Sequence, residues 1–309
     1  MKKKITAFIS LLVIISFIGY IIYDTSRPAA DKPDNTAAEN KTGPEDQWMI
    51  EQEIFVREGL KAVAVSEDGI IFTGGESFIK CYSVDLREIW SIETEAKITA
   101  LAVFNDTLYA ATEELVLVMN KEGKTIVEWG PYEAECLFTS ITANSSHVAV
   151  ADAGNKTVFI FTKEGVVSSM IGHFDEKLII PSPYFDVVLT PDNILYMAHT
   201  GNFRIEKRSI EGKLLTSFGE PGTEPGAFCG CCNPAHFTAI PGGFITAEKG
   251  INRIKILGAE GGFVEYVSSE NDFIASVPLD IATIDGTTIY GANPADGKLY
   301  VFIRIESHE

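Results

Sequence analysis

The sequence predicts an all-β chain: a six-bladed β-propeller whose ring is closed by a strand from its own N-terminal side, preceded by one transmembrane helix. Three observations predict it. A short apolar run with a turn signal behind it recurs six times between residues 62 and 284. Each run is followed by further short, β-branched runs, in units of roughly 40 to 45 residues, the length of a four-stranded blade. The last unit stops one strand short, while an unassigned strand, Trp48–Val56, stands before the first.

The N-terminal segment is expected to be a membrane anchor. Lys2, Lys3 and Lys4 precede an uncharged run from Ile5 to Tyr23. As a helix that run is about 28 Å long, close to the thickness of a bilayer core. The lysines favour the cytoplasmic side, so the expected placement is a single-pass cell-membrane protein with its C-terminal part outside the cytoplasm. A cleaved signal peptide is the rival reading, but its apolar core is usually shorter. Asp24–Asp46 lacks Ile, Leu, Val, Met, Phe, Tyr and Trp. It cannot bury a core and reads as a disordered linker. The expected organisation is therefore 1–23 anchor, 24–46 linker and 47–309 propeller.

The repeats justify the propeller in order. The first strands are Ala62–Val65, Ala100–Val103, Ser140–Ala143, Asp186–Leu189, Phe237–Ile240 and Ile281–Ile284. Turn signals such as Asp68-Gly69, Asn105-Asp106, Asp192-Asn193 and Asp285-Gly286 follow them. Second strands come next, at Ile70–Thr73, Thr107–Ala110, Val148–Ala151, Ile194–Ala198, Phe244–Ala247 and Thr288–Gly291. Third and fourth strands are joined through Glu122-Gly123, Glu164-Gly165, Glu211-Gly212 and Glu260-Gly261, where glycine supplies a positive φ. Fourth strands carry Trp90, Trp129, Met170, Phe218 and Tyr266, side chains large enough to pack between sheets.

Composition narrows the function. The chain is 46% hydrophobic and 22% charged, which excludes a disordered polymer. Its formal charge is −18. Residues 1–46 hold six basic and six acidic residues, so the whole excess falls on the expected ring. No nucleic-acid partner is expected, because phosphate binding needs a basic patch. No G-x-S-x-G, H-E-x-x-H or Walker-type motif occurs.

The loops after the second strands carry a family resemblance. Ala151-Asp152-Ala153-Gly154-Asn155-Lys156-Thr157-Val158, Ala198-His199-Thr200-Gly201-Asn202-Phe203-Arg204-Ile205 and Ala247-Glu248-Lys249-Gly250-Ile251-Asn252-Arg253-Ile254 resemble the NHL repeat, which reads Ala-Asp-x-Gly-Asn-x-Arg-Ile at this place. The resemblance implies a six-bladed ring of about 260 residues. It leaves function open, since such rings include binding scaffolds, lyases, lactonases and esterases. The lyases and lactonases hold a metal at the channel with His, or with Glu, Asn and Asp. The inner strands here offer Thr142, Thr238 and Thr283, and no matching set of three is evident.

In propellers the loops between blades and those between second and third strands share one face. That face is expected to gather Glu76, Asp152, His199 and Glu248 as ligand-facing residues, beside Cys136, His173, Cys229, Cys231, Cys232 and His236. For Asp152 and Glu248 the commoner role is structural, accepting backbone N–H bonds in their own loops. Arg204 and Arg253 suit ion pairs between blades. Cys229-Gly230-Cys231-Cys232-Asn233-Pro234-Ala235-His236 is the densest reactive stretch. It admits a disulfide with Cys136, a zinc or copper site with His236 and His199 or His173, or a redox role for Cys231-Cys232. Cys81 reads as a small buried apolar residue. The expected function is a binding or scaffold module for a protein, peptide or glycan. The alternative is a metal- or thiol-dependent site at Cys229–His236 serving a lyase or hydrolase activity, or envelope redox or metal handling.

Overall fold

The computed structural model describes residues 47–305, apart from 174–176, 231, 269–271 and 275. In the described residues 24 strands, β1 to β24 in chain order, form six four-stranded antiparallel sheets. The first strands of blades one to six are β2 (Leu60–Val65), β6 (Ala100–Phe104), β10 (Phe138–Ala143), β14 (Val187–Leu189), β18 (His236–Ile240) and β22 (Asp280–Thr283). They are the mutually adjacent strands of the ring and line its central channel.

Blade six is completed from the other end of the described chain. β1 (Trp48–Phe55) pairs antiparallel with β24 (Lys298–Arg304), from Trp48 opposite Arg304 to Phe55 opposite Lys298. The Ile305 N–H donates to the Gln47 carbonyl at 2.7 Å and extends the ladder by one step. Trp48 is buried on the blade-five side with Ile256, Val267 and Phe302. This pairing leaves no blade short of its outer strand.

Successive blades lock through large side chains packed between sheets. Trp129, at the end of β9 (Thr125–Trp129), lies between Tyr109 of its own blade and Phe161 of the next, with ring centroids 5.8 and 5.7 Å away. The turn after β12 (Thr157–Thr162) then passes beneath it. At Gly165 φ is +81°, and a Cβ would stand 2.6 Å from the Trp129 ring. Gly261 repeats this against Phe218, where a Cβ would come within 2.3 Å. Glycine is needed twice over, for its dihedral and for its size.

The expected anchor, 1–23, and linker, 24–46, lie outside the described residues. No helix among the described residues is long and apolar enough to cross a membrane. Their apolar runs are strands of three to eight residues paired into blades, against about 20 helical residues needed to span a bilayer. The expected single-pass membrane placement is corrected accordingly: the propeller is what the structure supports.

Ring closure makes a stability prediction. A chain beginning at Gly59 lacks β1 and should unfold cooperatively at a clearly lower temperature. Loss of the buried Trp48 side chain alone is worth about 3–5 kcal/mol. Calorimetry on the two chains checks this; equal unfolding temperatures would refute closure by β1.

Candidate functional site at the channel mouth

The register between first and second strands defines one equivalent position in every blade. It is held by Ala62 (opposite Gly74), Ala100 (Ala111), Ser140 (Ala151), His236 (Ala247) and Asp280 (Ala292). In blade four Asp186 holds it, its carbonyl accepting from Ala198 N–H at 2.9 Å. Blades four, five and six thus bring Asp186, His236 and Asp280 side by side at the channel end on the loop face.

The inner edges of first strands present backbone N–H groups to the channel, and these need acceptors. Three ring-position side chains supply them in the same way. Each accepts the N–H just after the ring position of the next blade. Ser140 Oγ takes Val187 N–H at 3.2 Å, Asp186 Oδ2 takes Phe237 N–H at 2.7 Å, and Asp280 Oδ2 takes Val63 N–H at 2.8 Å. The last of these joins blade six to blade one. Asp186 Oδ1 also accepts from the Ser140 hydroxyl and from Val187 N–H.

His236 breaks the pattern. The N–H it would cap, that of Ile281, is taken by Asp280 Oδ1 at 3.0 Å. Its Nδ1 stands 3.4 Å from Asp280 Oδ1 and 3.9 Å from Asp186 Oδ2. Tyr184 meets the imidazole edge-on at 6.0 Å, and Lys249 Nζ lies 4.6 Å from the Tyr184 ring centre. The imidazole is wedged between two carboxyls and free of the blade-joining role.

Electrostatics follow from burial. Burial, then the neighbouring charge of Asp186, pushes the Asp280 carboxyl up to about 8. Burial also raises Asp186, to about 6, against the pull of its hydrogen bonds from Ser140, Phe237 and Val187. Burial, helped by the Lys61 charge, pushes His236 down to about 4. Near neutral pH the mouth holds a neutral imidazole beside carboxyls that resist full ionisation. The channel behind it has a volume of about 180 Å³. Asp186, His236 and Asp280 are its ionisable lining residues, and no Lys or Arg lines it. A larger cavity of about 580 Å³, walled by Trp48, Tyr266, Phe273 and Tyr300, opens between blades five and six, away from these groups.

The residues expected on the loop face serve mainly to hold it. Asp152 Oδ1 accepts Leu137, Gly154 and Asn155 N–H groups at 2.8, 2.9 and 3.2 Å. Glu76 is exposed and pairs with Lys97 at 2.9 Å. His199 is buried; its Nε2 accepts Ile179 N–H at 2.9 Å, which places its proton on Nδ1, 2.7 Å from Glu206 Oε1. Glu206 also receives Arg204 and Arg208 at 2.6 Å each. Burial alone would raise Glu206, but these three partners reverse it and hold the carboxyl near 2. Glu248 is buried with Arg253 at 3.2 Å and Lys255 at 2.7 Å. Arg253 and Lys255 also donate to carbonyls of the 223–227 loop, among them Ala227 at 2.8 and 2.7 Å. The arginines therefore pair within their own blades, not between blades as expected. Alternation along β16 (Arg204–Ser209) puts Arg204, Glu206 and Arg208 on one face.

The cysteine stretch is a braced turn in the same loop. Asn233 donates to the Cys229 and Lys249 carbonyls and accepts Lys249 N–H at 2.9 Å. Cys81, Cys136 and Cys229 are free thiols, so the expected disulfide from Cys136 is not formed to Cys229. Cys231 lies outside the described residues. Burial, reinforced by Asp152, raises the Cys136 thiol to about 11, away from the reactive range. Among the described residues no three His, Cys, Asp or Glu side chains are placed to hold a metal ion. The described residues thus do not assemble the expected zinc or copper centre. His173 is exposed just after β13 (Val167–Ile171).

Sequence reading missed Asp186 and Asp280 for a definable reason. Runs written as Phe237–Ile240 and Ile281–Ile284 are one residue out of register with the other four. Written as His236–Ala239 and Asp280–Thr283, they align Asp186, His236 and Asp280 in one column. A slip of one residue exchanges the faces of a strand.

No protein-family model matches the chain, and no curated protein does. Solved structures match its fold. A Bacteroides thetaiotaomicron protein of unknown function is 15% identical, with TM-score 0.63, over 82% of this chain and 72% of its own. Virginiamycin B lyase from Staphylococcus aureus is 15% identical, with TM-score 0.60, over 84% of this chain and 100% of its own. The WD40 propeller domain of Doa1 is 13% identical, with TM-score 0.57, over 81% and 79%. At these identities the likeness is one of fold, a β-propeller, here with six four-stranded blades.

The blade-four network makes its own prediction. Glu206→Gln leaves Arg208 buried without its counter-charge and should cost about 3–5 kcal/mol in urea unfolding. The sign with pH follows from the lowered carboxyl. Its stabilisation is complete above the ordinary glutamate range and fades as pH falls toward 2. The gap between wild type and variant should therefore narrow in acid. A gap that is absent at pH 7 would contradict the network's role.

Proposed function

We propose that the ring is a binding module: a protein, peptide or glycan partner docks on the loop face and inserts one small group into the channel mouth at Asp186, His236 and Asp280. One observation carries this reading. The face converges on the only column of ring positions in the described chain that joins two carboxyls to an imidazole, and the channel behind it holds about 180 Å³. Sites that enclose a whole small molecule usually offer about 300–1,000 Å³. A channel of this size suits the tip of a side chain. We also read the repeats as NHL-like. In the three blades that carry the resemblance, Asp152, His199 and Glu248 occupy the same position, and each accepts a backbone N–H (Leu137, Ile179 or Cys229) from the loop that leads into its own blade.

Catalysis is the second reading, and one observation favours it. His236 Nδ1 stands 3.4 Å from the Asp280 carboxyl, and a carboxyl beside an imidazole is a pairing that general acid–base chemistry uses. The narrow channel favours binding over the enclosure of a substrate.

Peptides selected from a random display library on the intact protein test the binding reading. They should lose at least about tenfold affinity, roughly 1.4 kcal/mol, on an Asp186→Asn, Asp280→Asn double variant. They should bind normally to Ile126→Ser, a change on the outer strand of blade two. Selected peptides that bind both variants like wild type would refute it.

A further inference from the structure

We infer that the group received at the channel mouth is an organic cation, an alkylammonium or guanidinium such as a lysine or arginine side chain carries. This inference rests on the binding reading above and specifies its ligand.

The lining argues for charge sign. The channel is walled by the six first strands, and its acidic side chains are Asp186 and Asp280, with His236 neutral between them. No basic side chain of the lining neutralises them. An anion would meet two carboxyls at close range in a poorly solvated site, and an apolar group would strip water from them without replacing its hydrogen bonds.

Acceptor geometry argues for a donor-rich guest. The two carboxyls use Oδ2 to cap Phe237 and Val63, yet every carboxylate oxygen has more than one acceptor direction. His236 caps no N–H of the next blade, since Asp280 takes that of Ile281, and its Nδ1 instead faces the Asp280 carboxyl at 3.4 Å. Blades one and two carry Ala62 and Ala100 at the same height. The ring positions are thus rich in acceptors on one side and hold only small side chains on the other, which leaves space for a guest opposite the acids.

Spacing argues against a metal ion. Asp186, His236 and Asp280 are not placed as a ligand set. Metals demand ligands about 2.0–2.6 Å from one centre. Hydrogen bonds from an ammonium or guanidinium run about 2.7–2.9 Å from donor to acceptor and tolerate a looser arrangement.

Binding should be coupled to proton release. Asp280 faces Asp186 of blade four and His236 of blade five, and Lys61 of blade one contributes its charge at His236. A cation favours ionised Asp280 and expels its proton below the raised carboxyl value. Affinity should therefore rise as pH rises from 6 to 8, by at most about tenfold per unit, and level off above 8.

The test uses the full chain and nuclear magnetic resonance of the Val63, Phe237 and Ile281 amides. The probes are n-butylammonium chloride, an uncharged-ended Gly-Lys-Gly peptide, sodium butyrate and n-butanol. Both cations should shift the three amides, and butyrate and butanol should not. Binding should be several-fold tighter at pH 8 than at pH 7. Asp280→Asn, which keeps an acceptor for Val63 N–H, should weaken it about tenfold and flatten the pH dependence. Should that variant misfold, calorimetry on the wild type in buffers of different ionisation enthalpy replaces it. It should show a substantial fraction of one proton released per cation at pH 7, and no release would overturn the inference. A tighter peptide identifies a partner side chain as the source, and an equal or tighter butylammonium identifies a free amine. Both outcomes support a cation. Shifts from butyrate or butanol alone, or from calcium or zinc chloride without the ammonium, would overturn the cation and leave a binding mouth standing. If no probe shifts these amides and library-selected peptides perturb another surface, the binding reading falls as well.

Discussion

The pairing of β1 with β24 is the constraint on which the rest of the structure depends. Without it blade six would end on β24, with an unpaired edge and Trp48 missing from its contact with blade five. Held by that pairing, blade six stands between blades five and one. Asp280 then reaches both His236 and the Val63 N–H of blade one. The strand that seals the outside of the ring therefore fixes the polar arrangement at its axis.

The axis solves a problem that every propeller of this kind meets. Inner strand edges point unpaired amides into a narrow space, and each needs an acceptor. Ser140, Asp186 and Asp280 meet the need for three blade pairs with the same geometry. For two of the three the acceptor is a carboxyl, which burial drives toward its protonated form. Structure and function overlap at these residues: the caps that join blades also leave acceptors facing the channel. His236 is the separable part, because Asp280 has taken over the amide that His236 would cap. Away from the axis, the Glu206 and Glu248 networks fix the loops that surround the mouth.

Much of the fold was legible in the sequence because it rests on local signals with a fixed period. Gly165 and Gly261 mark turns that need positive φ, and Trp129 and Phe218 supply the bulk those turns pack against. The missing fourth strand of the last blade pointed directly to Trp48–Val56. The site was less legible. Cys229–Cys232 drew attention by density, yet Cys229 and Cys136 are free thiols and the turn is braced by Asn233. Asp186 and Asp280 are ordinary residues at strand starts, and their meaning depends on register across blades. Glu206, Arg208 and Lys255 did not stand out in the sequence, because alternation alone does not say which face a neighbouring loop covers.

The central claim is that ring closure presses Asp280 and Asp186 together around His236 in a poorly solvated mouth. Carbon-13 resonance of the Asp280 side-chain carboxyl, followed through a pH titration of the intact protein and of Asp186→Asn, tests it most directly. The structure predicts a midpoint near 8 in the intact protein and a lower one once the Asp186 charge is removed. A midpoint in the ordinary aspartate range, about 4, or one that ignores Asp186, would contradict it.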